Sequence, residues 1–228
     1  MNIGPQSMTA QLQALHRGMK ARLCAADLDA IRLSDEQLLS TGAGRDILQP
    51  GAIAPDFTLH DQGGGQVRLT ERLAHGPLVL LFSRGGWCPF CTLQLRAWQS
   101  ALGELHEAGG DLLAILPQQN ALCCTTAERD LLAYPVLSDP GSQVAAQYGV
   151  LTEVPKVVRP FYLRLGHELP RINGTDDWRI PLASTVVVGQ DGRIALSHAD
   201  LAAPNRMEPD RALDAVRALS RPGESGQD

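Results

Sequence analysis

Five consecutive apolar residues, Leu78-Val79-Leu80-Leu81-Phe82, end at Ser83-Arg84-Gly85-Gly86 and give way at once to a helical pattern opening on Pro89. A short apolar run bounded by turn residues suits a strand buried on both faces of a mostly parallel sheet. In the helix after it Cys91, Leu95, Trp98, Leu102 and Leu105 recur at intervals of four and three, and Gly109-Gly110 supplies the stop. A strand, a tight turn and a helix in that order fix one layer of an α/β fold before any other segment is read.

The rest of the chain alternates in the same way. Residues 112–116 read as the next core strand, 125–133 as a helix, 135–137 as a short strand and 141–148 as a helix, which favours an α/β class. Upstream, Phe57-Thr58-Leu59 and Val67-Arg68-Leu69 flank the turn-rich Asp61-Gln62-Gly63-Gly64-Gly65 and predict a hairpin. Before residue 45 the chain is expected to be helical: Leu12, Leu15, Met19 and Leu23 share a helical spacing, and Ser34 with Gln37 has the form of a capping box. Downstream, Thr185–Val188 and Arg193–Leu196 flank Asp191-Gly192, a two-residue hairpin signal. Pro209 then opens a last helix carrying Leu213, Val216 and Leu219. Between them, 151–182 has no clean period and holds Pro155, Pro160, Pro170 and Pro181, so an irregular insertion covering a site is expected. The organisation predicted is a helical extension over 1–44, a domain over 45–220, and a disordered tail over 221–228.

Charge and cysteine usage narrow the function. A net charge of −5 with no clustered Lys or Arg argues against a nucleic-acid partner. No apolar run is long enough for a bilayer and the first residues lack an apolar leader core, so no membrane partner and a cytoplasmic location are expected. Five cysteines in a reducing compartment point to catalysis or metal rather than to structural bridges.

Pro89 is at home in the first helical position, which puts Cys88 at the N-cap and Cys91 at the third position. Free backbone N–H groups and the helix dipole stabilise a thiolate there. Residues three apart lie about 5–6 Å apart at Cβ, and a small adjustment of the first turn closes a disulfide. Two alternatives stand beside this: the two cysteines pack as ordinary core residues, or they ligate zinc. Zinc lacks two further ligands, because the adjacent Cys123 and Cys124 have the wrong spacing and the six histidines are scattered. Cys123 and Cys124 are expected to be helix-start residues, with a resolving role as the sharper alternative, and Cys24 a packed residue. No cofactor is called for. On this physics alone Cys88 is slightly the better nucleophile, since an N-cap sulfur can accept the N–H bonds of the first turn.

Trp87-Cys88-Pro89-Phe90-Cys91 resembles the Trp-Cys-x-x-Cys centre of thioredoxins. Its flanks, Gly51-x-x-Ala54-Pro55-Asp56-Phe57-Thr58-Leu59, Gly85-Gly86 before the motif and Gln94-Leu95 after it, and Pro135-Val136-Leu137-Ser138-Asp139, resemble peroxiredoxins of the alkyl hydroperoxide reductase and thiol-specific antioxidant type. The likeness covers about residues 50 to 200. It implies a thioredoxin-like fold, a central mixed sheet flanked by helices, with the N-terminal helices as an extension. It implies Cys91 as the thiol that attacks a hydroperoxide, Cys88 standing where the family has Thr, Arg84 where it has Pro, and Ala183 where a cis-proline or an arginine is usual. Arg84 is then the candidate replacement cation. The implied cycle runs from thiolate through sulfenic acid to a Cys88–Cys91 disulfide, recycled by a thioredoxin-like reductant, in a chain that forms a homodimer. Two other classes are carried: a disulfide oxidoreductase led by Cys88, and a binding module that no longer turns over.

Overall fold

The computed structural model describes residues 7–220. Helices α1 (Met8–Lys20) and α2 (Ala25–Ser40) come first, followed by the hairpin β1 (Thr58–His60) and β2 (Gln66–Arg68) and the short α3 (Leu69–Leu73). The central alternation is β3 (Leu78–Phe82), α4 (Pro89–Glu107), β4 (Asp111–Leu116), α5 (Asn120–Asp130), β5 (Val136–Ser138) and α6 (Gln143–Gln147). The remainder is β6 (Leu151–Glu153), α7 (Arg159–Arg164), α8 (Leu169–Asn173), β7 (Arg179–Pro181), β8 (Ser184–Val188), β9 (Ile194–Ala199) and α9 (Pro209–Ser220).

Seven strands form one mixed sheet in the order β2-β1-β5-β4-β3-β8-β9, as expected for a central mixed sheet flanked by helices. In it β3 runs parallel to β4, with Leu80 opposite Leu113, and antiparallel to β8, with Leu80 opposite Val186. Because side chains alternate along a strand, β3 feeds two cores at once. Leu78, Leu80 and Phe82 join Leu113, Ile115 and Tyr148 on one face, while Val79 and Leu81 join Trp98 and Leu105 of α4 and Leu213 and Val216 of α9 on the other. Each such side chain contributes roughly 1.5–3 kcal/mol by leaving water. All five residues of β3 are buried, so the loop that follows it starts from a fixed point at the centre of the molecule.

Several expectations need correction. Ser34 does not cap a helix; it is buried inside α2, which starts at Ala25 with Cys24 as its N-cap. No Gly or Pro interrupts residues 25–34, so nothing stops the helix where a cap would be needed. Helix α5 begins at Asn120 rather than 125 and ends at Asp130, capped by Leu131, which turns left-handed at φ 53°. The segment 151–182 is not irregular: β6 and β7 pair antiparallel, Thr152 opposite Ile180, and close off α7 and α8. Its prolines misled because Pro160 and Pro170 lie in the first turns of those helices, where the missing N–H costs nothing. The β8–β9 connection is wider than a two-residue turn, since Val188 pairs with Ile194 and the Gly189 N–H donates to the Arg193 carbonyl at 2.8 Å. Residues 221–228, expected to be a disordered tail, lie outside the described residues.

Candidate active site

The loop from Ser83 to Trp87 turns the chain from β3 into α4 in very little space. Gly85 has φ 133°, and a Cβ there would lie 2.6 Å from Trp87 Nε1; a Cβ on Gly86 would collide with Thr126 Oγ1. Buried Gln118 pins the loop, its Oε1 accepting the Gly86 N–H at 2.9 Å and its Nε2 donating to Thr126 Oγ1 at 2.9 Å. Cys88, extended at φ −88° and ψ 115°, is the N-cap of α4, Pro89 fills the first turn, and Cys91 is the third helical residue.

The two sulfurs meet, and both are buried, Cys88 with 4% exposure and Cys91 with 0%. The Cys88 thiol donates a hydrogen bond to the Cys91 sulfur, which holds the Cys91 pKa well below the ordinary thiol range although burial works the other way. The Arg206 and Arg84 guanidiniums act in the same direction. Cys88 is pushed well up, first by donating to that thiolate and then by burial. The sequence geometry had the Cys88 sulfur accepting first-turn N–H groups. It accepts none.

Of the two cations, Arg84 was legible in the sequence and Arg206 was not. Arg84 donates through Nη2 to the Leu201 carbonyl at 3.3 Å, and its Nε is buried without a partner among the described residues. Arg206, in the loop before α9, is 6% exposed and donates through Nη1 to the carbonyl of Ala183 at 3.3 Å. The backbone position where the sequence shows Ala183 instead of a cation is therefore served by a guanidinium from elsewhere in the chain. Nothing periodic marks Arg206, and only the fold brings it to β8.

A cavity of about 980 Å³ opens beside the pair. Cys88, Arg84 and Trp87 stand in its wall together with Leu23, Leu28 and Ile31 from the N-terminal helices and Phe161 and Tyr162 from α7; Cys91 does not. Met8 and Leu12 of α1 pack in one cluster with Phe90 and both cysteines. Trp87 is gripped by the segment between β6 and β7, its ring 5.5 Å from Tyr162 and 4.9 Å from His167. Burial lowers the His167 pKa.

The other three cysteines are also free. Cys24 is exposed at the start of α2 rather than packed, because the N-cap residue of that helix points away from the core. Cys123 and Cys124 are the fourth and fifth residues of α5, Cys123 buried in one cluster with Leu95 of α4. Among the described residues no group of three or more His, Cys, Asp or Glu is placed to hold a metal ion. What the site offers is two neighbouring buried sulfurs and two guanidiniums with spare donors that favour a thiolate on the pair.

The family model described as the AhpC/TSA family matches residues 50–197. Peroxiredoxin Bcp of Escherichia coli (strain K12) is 38% identical over 106 residues, which are 46% of this chain and 67% of that protein. The crystal structure of Peroxidoxin BcpB from Mycobacterium tuberculosis superposes with a TM-score of 0.61 at 25% identity, covering 75% of this chain and 98% of that one. The bacterioferritin comigratory protein of Xanthomonas campestris shares the fold, with a TM-score of 0.57 at 18% identity over 77% of this chain and 99% of that one. The stretch matched by the family model starts after α2 and ends within β9, so it holds Cys88 and Cys91 and leaves out α1, α2 and Arg206.

Proposed function

We propose how two cysteines share the work in this chain, which belongs to the AhpC/TSA family and is a thiol-dependent peroxidase of the peroxiredoxin kind: Cys91 attacks and Cys88 resolves. What supports the assignment is the family likeness, which puts Cys91 at the attacking position, together with the Arg206 and Arg84 guanidiniums that favour a thiolate on this buried pair. A thiolate is the nucleophile and a thiol is not.

In the first step the Cys91 thiolate attacks the outer oxygen of a hydroperoxide. An S–O bond forms, the O–O bond breaks, Cys91 becomes a sulfenic acid and the leaving oxygen takes a proton to become an alcohol or water. The Cys88 sulfur then attacks Cys91, an S–S bond forms and water leaves. A thioredoxin-like dithiol returns two electrons by exchange through a mixed disulfide. Both sulfurs belong to one helical turn, so the resolving step needs only a small shift of that turn.

The cavity supports organic hydroperoxides as substrates, since its volume of about 980 Å³ far exceeds the roughly 30 Å³ that a water-sized molecule occupies. A cytoplasmic setting fits the free cysteines. Among the described residues no helix is long and apolar enough to cross a membrane. Family kinship is the ground for a homodimer, which sedimentation would register as twice the chain mass.

The rival reading is protein-disulfide exchange led by Cys88, the sulfur at the N-cap of α4 and in the cavity wall. Hydroperoxide consumption and insulin reduction, measured on wild type and on Cys91→Ser, separate the two. The expected result is peroxide consumption by wild type and none by Cys91→Ser; full peroxide activity in Cys91→Ser, or insulin reduction that outpaces peroxide consumption, overturns the assignment.

A further inference from the structure

Two guanidiniums act on one thiolate from different places. Arg84 is part of the cavity wall beside Cys88, and its buried Nε has no partner among the described residues. Arg206 is absent from that wall; it is fastened to the Ala183 carbonyl, and its Nε and Nη2 are buried with no partner among the described residues. Neither arginine makes an ion pair with a carboxylate among the described residues, Asp35 and Asp200 acting on them only at longer range. A buried guanidinium is costly unless it faces an anion. The anion both can face is Cys91, whose surroundings are Ser83 and Arg84 from the loop after β3, Cys88 from its own helix and Arg206 from the loop before α9, with Tyr162 of α7 within electrostatic reach.

A hydroperoxide enters by the cavity, so its oxygens meet the groups in the cavity wall first. Resting on the assignment of Cys91 as the attacking thiol, we propose that the two arginines divide the reaction. Arg206, outside the cavity, is a positioning residue that keeps Cys91 ionised; Arg84, in the cavity wall, is a catalytic residue whose spare N–H meets the leaving oxygen as the O–O bond breaks. In that step the electron pair of the O–O bond goes to the leaving oxygen, the Arg84 donor stabilises the growing negative charge, and water in the cavity supplies the proton that completes the alcohol. Arg206 gives nothing to the leaving oxygen. Its effect is spent before the peroxide arrives.

The division predicts two different pH signatures in the full chain. The rate of Cys91 alkylation by iodoacetamide, followed by mass spectrometry of the Cys91 peptide, reports ionisation; single-turnover reduction of cumene hydroperoxide reports the chemical step. Arg206→Gln should raise the pH midpoint of alkylation by about one unit or more. It should slow peroxide reduction at pH 7, with the wild-type rate returning once the pH exceeds the new midpoint. Arg84→Gln should slow peroxide reduction by roughly a hundredfold at every pH, with a midpoint shift less than half that of Arg206→Gln. Matching profiles for the two variants, or a deficit in Arg206→Gln that survives at high pH, overturns the division. Should Arg206→Gln fail to fold, Arg206→Lys decides: a retained charge should hold the midpoint and the pH 7 rate near wild type, and a pH-independent loss as deep as that of Arg84→Gln overturns the proposal. Cys91→Ser run alongside tells the two levels apart. If it is inert and the arginine profiles coincide, only the division fails; if it still reduces peroxide, the assignment of Cys91 falls and the division with it.

Discussion

Cys88 and Cys91 occupy the N-cap and the third residue of α4, Cys123 and Cys124 the fourth and fifth residues of α5, and the two pairs are driven in opposite directions. The Cys91 sulfur lies beside the Cys88 thiol in the field of two guanidiniums. The Cys123 thiol donates to the carbonyls of Gln118 at 3.7 Å and Leu137 at 3.8 Å, and burial pushes its pKa up to about 12 although the Gln118 and Ser138 side chains favour the thiolate. Cys124 bonds the Glu128 carboxylate, which also disfavours a thiolate. Proximity to a helix start is therefore not what makes a cysteine reactive. What differs is positive charge to offset the cost of burial: two guanidiniums act on Cys91, and none is among the groups acting on Cys123.

The comparison can be broken most sharply by exchange to serine. Cys91→Ser should lower peroxide turnover by about a thousandfold or more, as loss of a nucleophile does, whereas Cys123→Ser, whose hydroxyl can keep both carbonyl bonds, should leave turnover unchanged. Steady-state assays with a thioredoxin-like reductant measure both, and a dead Cys123→Ser would show that the second pair takes part. Cys88→Ser should reduce one equivalent of hydroperoxide and then stall, with a sulfenic acid on Cys91 that a dimedone probe captures; continued turnover would remove Cys88 from the resolving role.

A pH series sharpens the same contrast. A thiol whose pKa is lowered stays charged until the pH falls through that lowered value, so Cys91 alkylation should remain fast as the pH drops from 9 to neutrality. Cys123, pushed up to about 12, stays neutral over that whole range and should not react in the folded protein. Smaller effects fall on stability. Leu12→Ala, removing a fully buried side chain from the cluster over the reactive pair, should cost about 2–4 kcal/mol in urea unfolding. Cys124→Ser, at the half-exposed side of α5, should stay within about 0.5 kcal/mol.

What could be read in advance follows the range of the forces involved. The step from β3 to α4 was legible because each signal is local: an apolar run, two glycines where side chains collide, a proline in a first turn. The start of α5 was not, since Cys123-Cys124-Thr125-Thr126 carries no apolar stripe and the helix is held by Gln119 and Gln118 around it. That Cys88 caps no first-turn N–H, and that Arg206 joins Arg84 beside the pair, could not be read, because the sequence shows the helix dipole and not a guanidinium lying far along the chain. In the 151–182 segment the prolines were taken for breakers, although a proline in a first turn is a beginning.

The first turn of α1 is tied to the far end of the chain: the Thr9 N–H donates to the Glu208 carboxylate at 2.7 Å, two residues past Arg206. Both partners lie outside residues 50–197, the stretch by which kinship is recognised. Two chains could thus carry the same recognisable middle and differ in how readily their sulfur gives up its proton, because the setting for that property is clasped together from the margins.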